Sequence, residues 1–434
     1  MKIQYWNALS AAQKKQFLQR NTMENNTLNA QVLEIIESVK QKGDEALFQY
    51  TQKFDKASLM QLAVTEQELS EAYNQVDEAS LAAIRCSIER ITAYNRSLLP
   101  ENGFFDSQDG IICERQIRPI NAVGLYIPGG TAPLVSTVMM LSVPASIAGC
   151  EQRILCTPPR PDGSIEPSIL VAATECGIQT IYKIGGAQAI AAMSYGTQTI
   201  PAVDKIFGPG NQWVTKAKQL CAQNAGISID MPAGPSELLI IADDTANPDF
   251  VAADLLSQAE HDVCAQVILV TPDESVAEKV KECLYQQLKA LSRYQIAAKS
   301  IENSKAIIVG SANEAFEVSN LYAPEHLSIQ LPQPEQYGSN VKNAGTVFMG
   351  EWAAEALGDY NTGSNHVLPT AGFTRSLSGL SVLDFMKWVS FQYVSQEGLL
   401  AIGKHAAQLA RLEALSAHEN AVNIRLQKVK PCVN

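Results

Sequence analysis

The sequence predicts an α/β protein built on two mostly parallel sheets, with helices before and after them. Three observations predict it. Between about residues 111 and 350, strand-like runs alternate with helical stretches, which implies βαβ units. Glycine clusters punctuate the strand-to-helix junctions at Gly129-Gly130, Gly185-Gly186 and Gly208-Pro209-Gly210-Asn211. Hydrophobic residues make up 46% and charged residues 18% of the 434, enough for large cores and, at this length, for two or three domains.

Taken in order, the first hundred residues read as helical. Ser10 and Gln13 make a capping-box pattern, Leu28, Val32, Ile35, Ile36 and Val39 mark one helical face, and Gly43 supplies a stop. Thr65 with Glu68 opens another helix, and Leu81, Ile84, Ile88 and Ile91 continue an apolar stripe. IICERQIRPI and AVGLYIP read as strands, followed by an apolar helix from Pro133. RILCTP, TIYKIGG, DKIFGPG and ISIDMP are the next strands, with ILVAATECG, AQAIAAMSYG and NQWVTKAKQLCAQ as the helices between them. A second series starts at ELLIIAD. Asn247-Pro248 supplies an N-cap and first helical position, a long helix runs to about Leu291, and QVILVTP, AIIVG, LSIQ and GTVFMG are strands. Two similar sheets are therefore expected. From about Leu380 the chain reads as a helical tail rich in Ala, Leu and Gln.

Composition excludes several functions. With 33 basic and 45 acidic residues the net charge is −12, which argues against broad binding to nucleic acid or an anionic membrane. The start, MKIQYWNALSAAQKKQF, lacks a signal-peptide core, and the apolar stretch near Leu134–Ile147 is broken by Ser, Thr and Pro144, so no membrane span is expected. Nine cysteines, an odd number without a CxxC pair, fit a reducing cytoplasm and exclude a disulfide framework or zinc ribbon.

Chemistry enters through the glycines and five histidines. There is no clean GxGxxG after a strand and no GxxxxGK[ST], so the glycine turns leave a phosphate cradle and ordinary tight turns both open. Gln258 and His261 are three apart in a helical stretch and would share a face; His261 is a reasonable metal ligand, Gln258 a weak one, and a solvated helix end gives the same spacing. Asp359 and His366 lie in the polar stretch GDYNTGSNHVLPT, read as a loop. Ser416 with Glu419 fits a capping box, which would start a new helix and put His418 in its first turn, where the helix dipole favours neutral imidazole. Glu413 precedes that break. Glu325-His326, after Pro324 and before a strand, can divide acid and base work. His405 has no such company and reads as a surface residue.

Together, YIPGG (126–130), FGPGNQWVTKAK (207–218), IDMPAGPSE (229–237), YAPEH (322–326), GDYNTGSNH (358–366) and Ala417-His418 resemble the histidinol dehydrogenase family, in order and over nearly the whole length. The resemblance implies oxidation of L-histidinol through L-histidinaldehyde to L-histidine with two NAD+, the last steps of histidine biosynthesis. It implies a cytoplasmic homodimer with a shared active site and one Zn2+ per subunit. It makes Glu325 and His326 the catalytic pair. Zinc would fall to Gln258, His261, Asp359 and His418, the last from the other subunit. Tyr126, Gln188 and Asn211 match cofactor contacts. Ser236 and Glu413 match substrate contacts, together with the metal ligands and His326, and His366 is a further candidate. The implied fold is two incomplete Rossmann-like domains. These are a discontinuous first domain over 26–125 and 237–380 and an NAD-binding domain over 126–236, joined by a helical arm over 1–25 and a helical tail over 381–434 that reaches the partner.

Two alternatives stand beside this reading. One is a thiol-dependent aldehyde or alcohol dehydrogenase using Cys113 or Cys150, although no flanking basic residue activates either. The other is a non-catalytic nucleotide- and metal-binding scaffold.

Overall fold

A computed structural model of the chain describes residues 1–20, 26–129, 132–231 and 234–429. Gly130 of the first glycine cluster, Pro232 and Ala233 of IDMPAGPSE, and Cys432 lie outside these residues. The strands are β1 (Lys2–Tyr5), β2 (Gly103–Asp106), β3 (Ile111–Pro119), β4 (Ala122–Tyr126), β5 (Gln152–Thr157), β6 (Thr180–Lys183) and β7 (Lys205–Phe207). They continue as β8 (Ser228–Ile229), β9 (Glu237–Ala242), β10 (Gln266–Thr271), β11 (Lys305–Ile308), β12 (His326–Gln330), β13 (Thr346–Met349) and β14 (Met386–Val394).

Among the described residues, two of the three sheets are wholly parallel. One runs β6-β5-β4-β7-β8 and the other β1-β11-β10-β9-β12-β13. Counted from its own first strand, each series has the order 3-2-1-4-5, the Rossmann arrangement short of its last strand. The expected similarity of the two sheets is thus present in their topology. β9 is buried at every position because helices cover both faces: Leu238 and Ile240 pack with Val251, Leu255 and Val280, whereas Leu239 and Ile241 pack with Phe316, Tyr322 and Trp6. The β4–β8 sheet shares its core with Leu28, Val32, Ile36, Val39 and Leu47 from the helices Asn26–Lys42 and Asp44–Phe54.

Residues 1–98 and 120–385 form one compact unit, and residues 99–119 with 386–434 form a second. The second holds the antiparallel sheet β14-β3-β2 and the helices Gln396–Leu412 and Ser416–Leu426.

Most elements match their sequence signals. Ser10–Gln13 and Thr65–Glu68 both form complete capping boxes, and Asn247 caps the helix Pro248–Ala259. Four readings are corrected. Lys2–Tyr5 is not helical but adds an edge strand beside β11, a pairing that four residues cannot announce. The tail is not helical from its start: residues 386–394 pair along all of β3, and IICERQIRPI belongs to this antiparallel sheet and not to a βαβ series. The long helix stops at Leu288, and a separate helix, Tyr294–Asn303, follows. The helix at Ser416 does begin there, but Leu415 is its N-cap without a side-chain cap bond, and Glu419 pairs with Arg411.

Candidate active site

The first sheet to assemble a site is β4–β8, at its carboxyl ends. Tyr126 ends β4, and its Oη accepts the Gly186 N–H at 3.0 Å. Gln188, in the first turn of the helix Gly186–Tyr195, is 1% exposed, and its Oε1 has no hydrogen-bond partner among the described residues. Asn211 follows β7 and caps the helix Gln212–Asn224, its Oδ1 accepting the N–H groups of Trp213 and Val214 at 3.0 and 3.2 Å. These are strand ends on either side of the point where the order reverses, between β4 and β7, which is where a doubly wound sheet binds ligands. The backbone here is closely packed. Gly208 has φ +122°, and a Cβ on it would stand 2.1 Å from the Tyr126 carbonyl oxygen. Helix N-termini and glycine-lined turns can donate to a dinucleotide's phosphates, and the orphaned Gln188 amide oxygen can accept from its hydroxyl or amide groups.

The second assembly lies at the amino ends of β9 and β12. His326 begins β12, opposite Leu238 of β9. Glu237, the first residue of β9, holds both Glu325 and His326 with its main chain: its N–H donates to Glu325 Oε2 at 2.8 Å, and its carbonyl lies 3.1 Å from His326 Nδ1. Glu325 Oε2 is 3.6 Å from the same nitrogen. Gln258 approaches from the helix Pro248–Ala259. With its amide turned so that oxygen faces donors, the oxygen accepts from Glu237 N–H and His326 Nδ1 at 3.2 and 3.3 Å, and the nitrogen donates to Glu355 Oε1 at 3.0 Å. Phe348 of β13 stacks on the His326 ring at 6.0 Å.

Asp359 and Glu355 come from the short helix Glu355–Tyr360, so Asp359 is in a helix and not in a loop. Ligand atoms of His326, Glu355 and Asp359 all lie within 4.8 Å of one another. Glu355 was absent from the sequence-derived candidates, although its spacing of four from Asp359 would place both on one helical face. Ser257 Oγ donates to Glu355 Oε2 at 2.6 Å. His261 sits in the turn after the helix that carries Gln258, and not on it, with its N–H 3.3 Å from the Gln258 carbonyl. Ser236 is half-buried beside Glu237, and its carbonyl accepts the Gln266 N–H.

Electrostatics in this cluster are dominated by buried carboxyls. Burial disfavours a charge on His326, but Glu325, Glu355 and Asp359 outweigh it and push the imidazole up to about 10. Burial raises Glu325, against the pull of His326. Burial and Asp359 push Glu355 up to about 7. Burial lowers His261, with Asp359 opposing. Carboxyl, amide and imidazole donors converging in a dry site fit a divalent cation. His366 is near the second assembly: its Nε2 is 3.1 Å from Ser136 Oγ in the first turn of the helix Val135–Ala148, and its ring feels Asp359, His326 and His261.

The remaining candidates lie in the second unit. Glu413 ends the helix Gln396–Leu412, and His418 is in the first turn of Ser416–Leu426, both exposed. Cys113 is exposed on β3. Cys150, in the first unit, is buried, and burial pushes its thiol up to about 11, the opposite of what a nucleophile needs.

A family model described as histidinol dehydrogenase matches residues 18–426. A histidinol dehydrogenase from Legionella pneumophila (strain Paris) is 49% identical over 426 residues, covering 98% of both chains. One from Photobacterium profundum is 45% identical over 432 residues, covering 99% of this chain and 97% of its own. The crystal structure of histidinol dehydrogenase from Elizabethkingia anophelis superposes with a TM-score of 0.95 at 44% identity, covering 98% of each chain.

Proposed function

Because the chain belongs to the histidinol dehydrogenase family, we propose that it oxidises L-histidinol to L-histidine through L-histidinaldehyde, reducing two NAD+, at Glu325 and His326. This makes it an NAD-dependent oxidoreductase of histidine biosynthesis. The observation that carries the residue assignment is the grip of one residue's main chain, that of Glu237, on both side chains.

That grip divides their work. His326 Nδ1 is turned to the Glu237 carbonyl, which leaves Nε2 for the alcohol; the surrounding carboxyls favour imidazolium, so Nε2 would accept the alcohol proton in the first oxidation once a cation held by Asp359 offsets their pull. Glu325 has one oxygen fixed by the Glu237 N–H, and its carboxylate takes a proton from the water that adds to the aldehyde. The resulting hydrate carries a hydrogen that can leave as hydride in the second oxidation. Tyr126, Gln188 and Asn211 would hold NAD+, whose nicotinamide would supply the hydride acceptor for each oxidation. Ser236 and Glu413 contact the substrate. The Cys150 thiol takes no part, since burial keeps it protonated.

Gln258, His261 and Asp359, with His418 of a second copy, would hold Zn2+, which would supply a Lewis-acid anchor for the imidazole and amine of the amino alcohol. Carboxylate and histidine donors with an amide suit an ion that must also accept substrate nitrogens. Glu413 and His418 therefore serve the site of the other subunit in a homodimer, and the tail is the element that crosses. A cytoplasmic location accords with this role, and among the described residues no helix is long and apolar enough to cross a membrane.

The test is direct. The purified protein with L-histidinol and NAD+ should form two NADH per histidinol consumed, with histidine as the product on chromatography. Absence of NADH formation, or accumulation of the aldehyde after one NADH, would refute it.

A further inference from the structure

Arg20 lies in the N-terminal arm, a stretch whose sequence carries no chemical motif, yet its guanidinium ends beside the acid–base pair. Its Nε and Nη2 donate to Glu237 Oε1 and Oε2 at 2.5 and 2.8 Å, a bidentate pair in which the Glu237 side chain is 3% exposed. Nη2 also donates to the carbonyls of Tyr322 and Ala323 at 2.9 and 3.2 Å, and the guanidinium lies 4.0 Å over the Tyr322 ring. Ala323 has φ +56°, a left-handed conformation that a non-glycine residue keeps only when its surroundings hold it. It ends the helix Ala312–Tyr322 and, through Pro324, leads into Glu325 and His326.

One cation therefore fixes both walls of the pair. It anchors the residue whose N–H and carbonyl bind Glu325 and His326, and it anchors the turn from which they emerge. Glu237 Oε1 takes a further N–H, from Ala371 at 3.0 Å, so the carboxylate cannot move away without losing several bonds. A planar guanidinium can make these contacts together; an ammonium cannot.

We propose that Arg20 is a positioning residue for the Glu325–His326 pair, acting through the Glu237 carboxylate and the Tyr322–Ala323 carbonyls. This rests on the assignment of Glu325 and His326 above. Arg20→Ala, Arg20→Lys and Glu237→Gln would be compared with His326→Asn and Glu325→Gln. The readouts are kcat on histidinol and on histidinaldehyde, NAD+ dissociation constant, and side-chain 15N spectra of the five histidines, with the His326 signals identified by their loss in His326→Asn.

Arg20→Ala is expected to lower kcat about 100-fold, the scale of an ångström-level misplacement, while the NAD+ dissociation constant stays within about twofold. The His326 nitrogen signals should shift, and added guanidinium ion should restore part of kcat. Arg20→Lys should fall between. A folded Arg20→Ala with kcat within about threefold of the parent and unshifted His326 signals would overturn the proposal. If Arg20→Ala does not fold, parental rates in Arg20→Lys and Glu237→Gln overturn it equally, and slowed rates with shifted His326 signals support it. Parental rates in His326→Asn and Glu325→Gln would instead sink the assignment of the pair, and shifted His326 signals in Arg20→Ala would still support the clamp.

Discussion

His326 is oriented by the Glu237 carbonyl and the Gln258 amide at Nδ1 and by Phe348 on its ring, and three carboxyls favour its charge. Replacing it should affect the alcohol oxidation first: His326→Asn is expected to lose about 10²–10⁴-fold with histidinol as substrate, while Glu325→Gln should lose more with histidinaldehyde. Stopped-flow NADH formation from each compound separates the two, and equal losses on both would contradict the division. His261→Asn should lose the bound metal, measured by mass spectrometry, with NAD+ binding near the parental value. Asp55 offers a test away from the pair. Burial pushes its carboxyl up to about 6, and its Oδ2 has no partner among the described residues. A raised acid binds its proton more tightly in the folded state, so its contribution to stability is full below about pH 4 and is lost as pH rises through 6. Asp55→Asn should therefore gain about 1 kcal/mol at pH 8, discounted for partial exposure, with no gain near pH 4 in thermal melts. The sequence marked Glu325, His326, Gln258, His261 and Asp359, because acids and imidazoles in short motifs are visible as letters. Arg20, Glu237 and Glu355 were not marked, because their roles come from contacts made across 217 and 302 positions of chain, or from a helix too short to leave a period.

Among elements, the turn after β7 is the most constrained. Gly208 cannot accept a Cβ without displacing the Tyr126 carbonyl, and the buried Lys218–Asp230 pair holds the same turn, with Asp230 Oδ2 accepting the Gly208 N–H at 2.7 Å. Gly208→Ala should thus weaken NAD+ binding and lower the melting temperature together. Asn211 separates those effects. As N-cap it contributes about 1 kcal/mol to its helix, so Asn211→Ala should lose stability and cofactor affinity, whereas Asn211→Ser should keep most of the stability and still lose affinity. Calorimetry and cofactor titration check both. Alternating strands and helices were legible from 122 onward because most buried strands, such as β9 and β10, carry an apolar run and turn or cap signals lie between them. β1 and β14 were not. A four-residue edge strand has no pattern of its own, and β14 interrupts its apolar residues with Lys387, Ser390 and Gln392 and leaves most of them exposed, so no buried run marks it.

At the scale of the molecule, the proposed site needs two chains. Mixing His418→Ala with His261→Asn, each inactive alone, should restore about a quarter of parental activity if the tail of one copy completes the site of the other, because half the dimers would be mixed and each would hold one intact site. No recovery would place His418 with its own chain. The double 3-2-1-4-5 order was legible as two similar series, but the second unit was not, since its sheet pairs residues 111–119 with 386–394 and nothing local announces that. A metal-assisted double oxidation at one buried pair is the central claim, and metal removal tests it most directly. Protein stripped of ions, with their loss confirmed by mass spectrometry, should form no NADH from histidinol and should regain two NADH per histidinol as Zn2+ is titrated to one ion per chain. Complete conversion to histidine by the ion-free protein would contradict it.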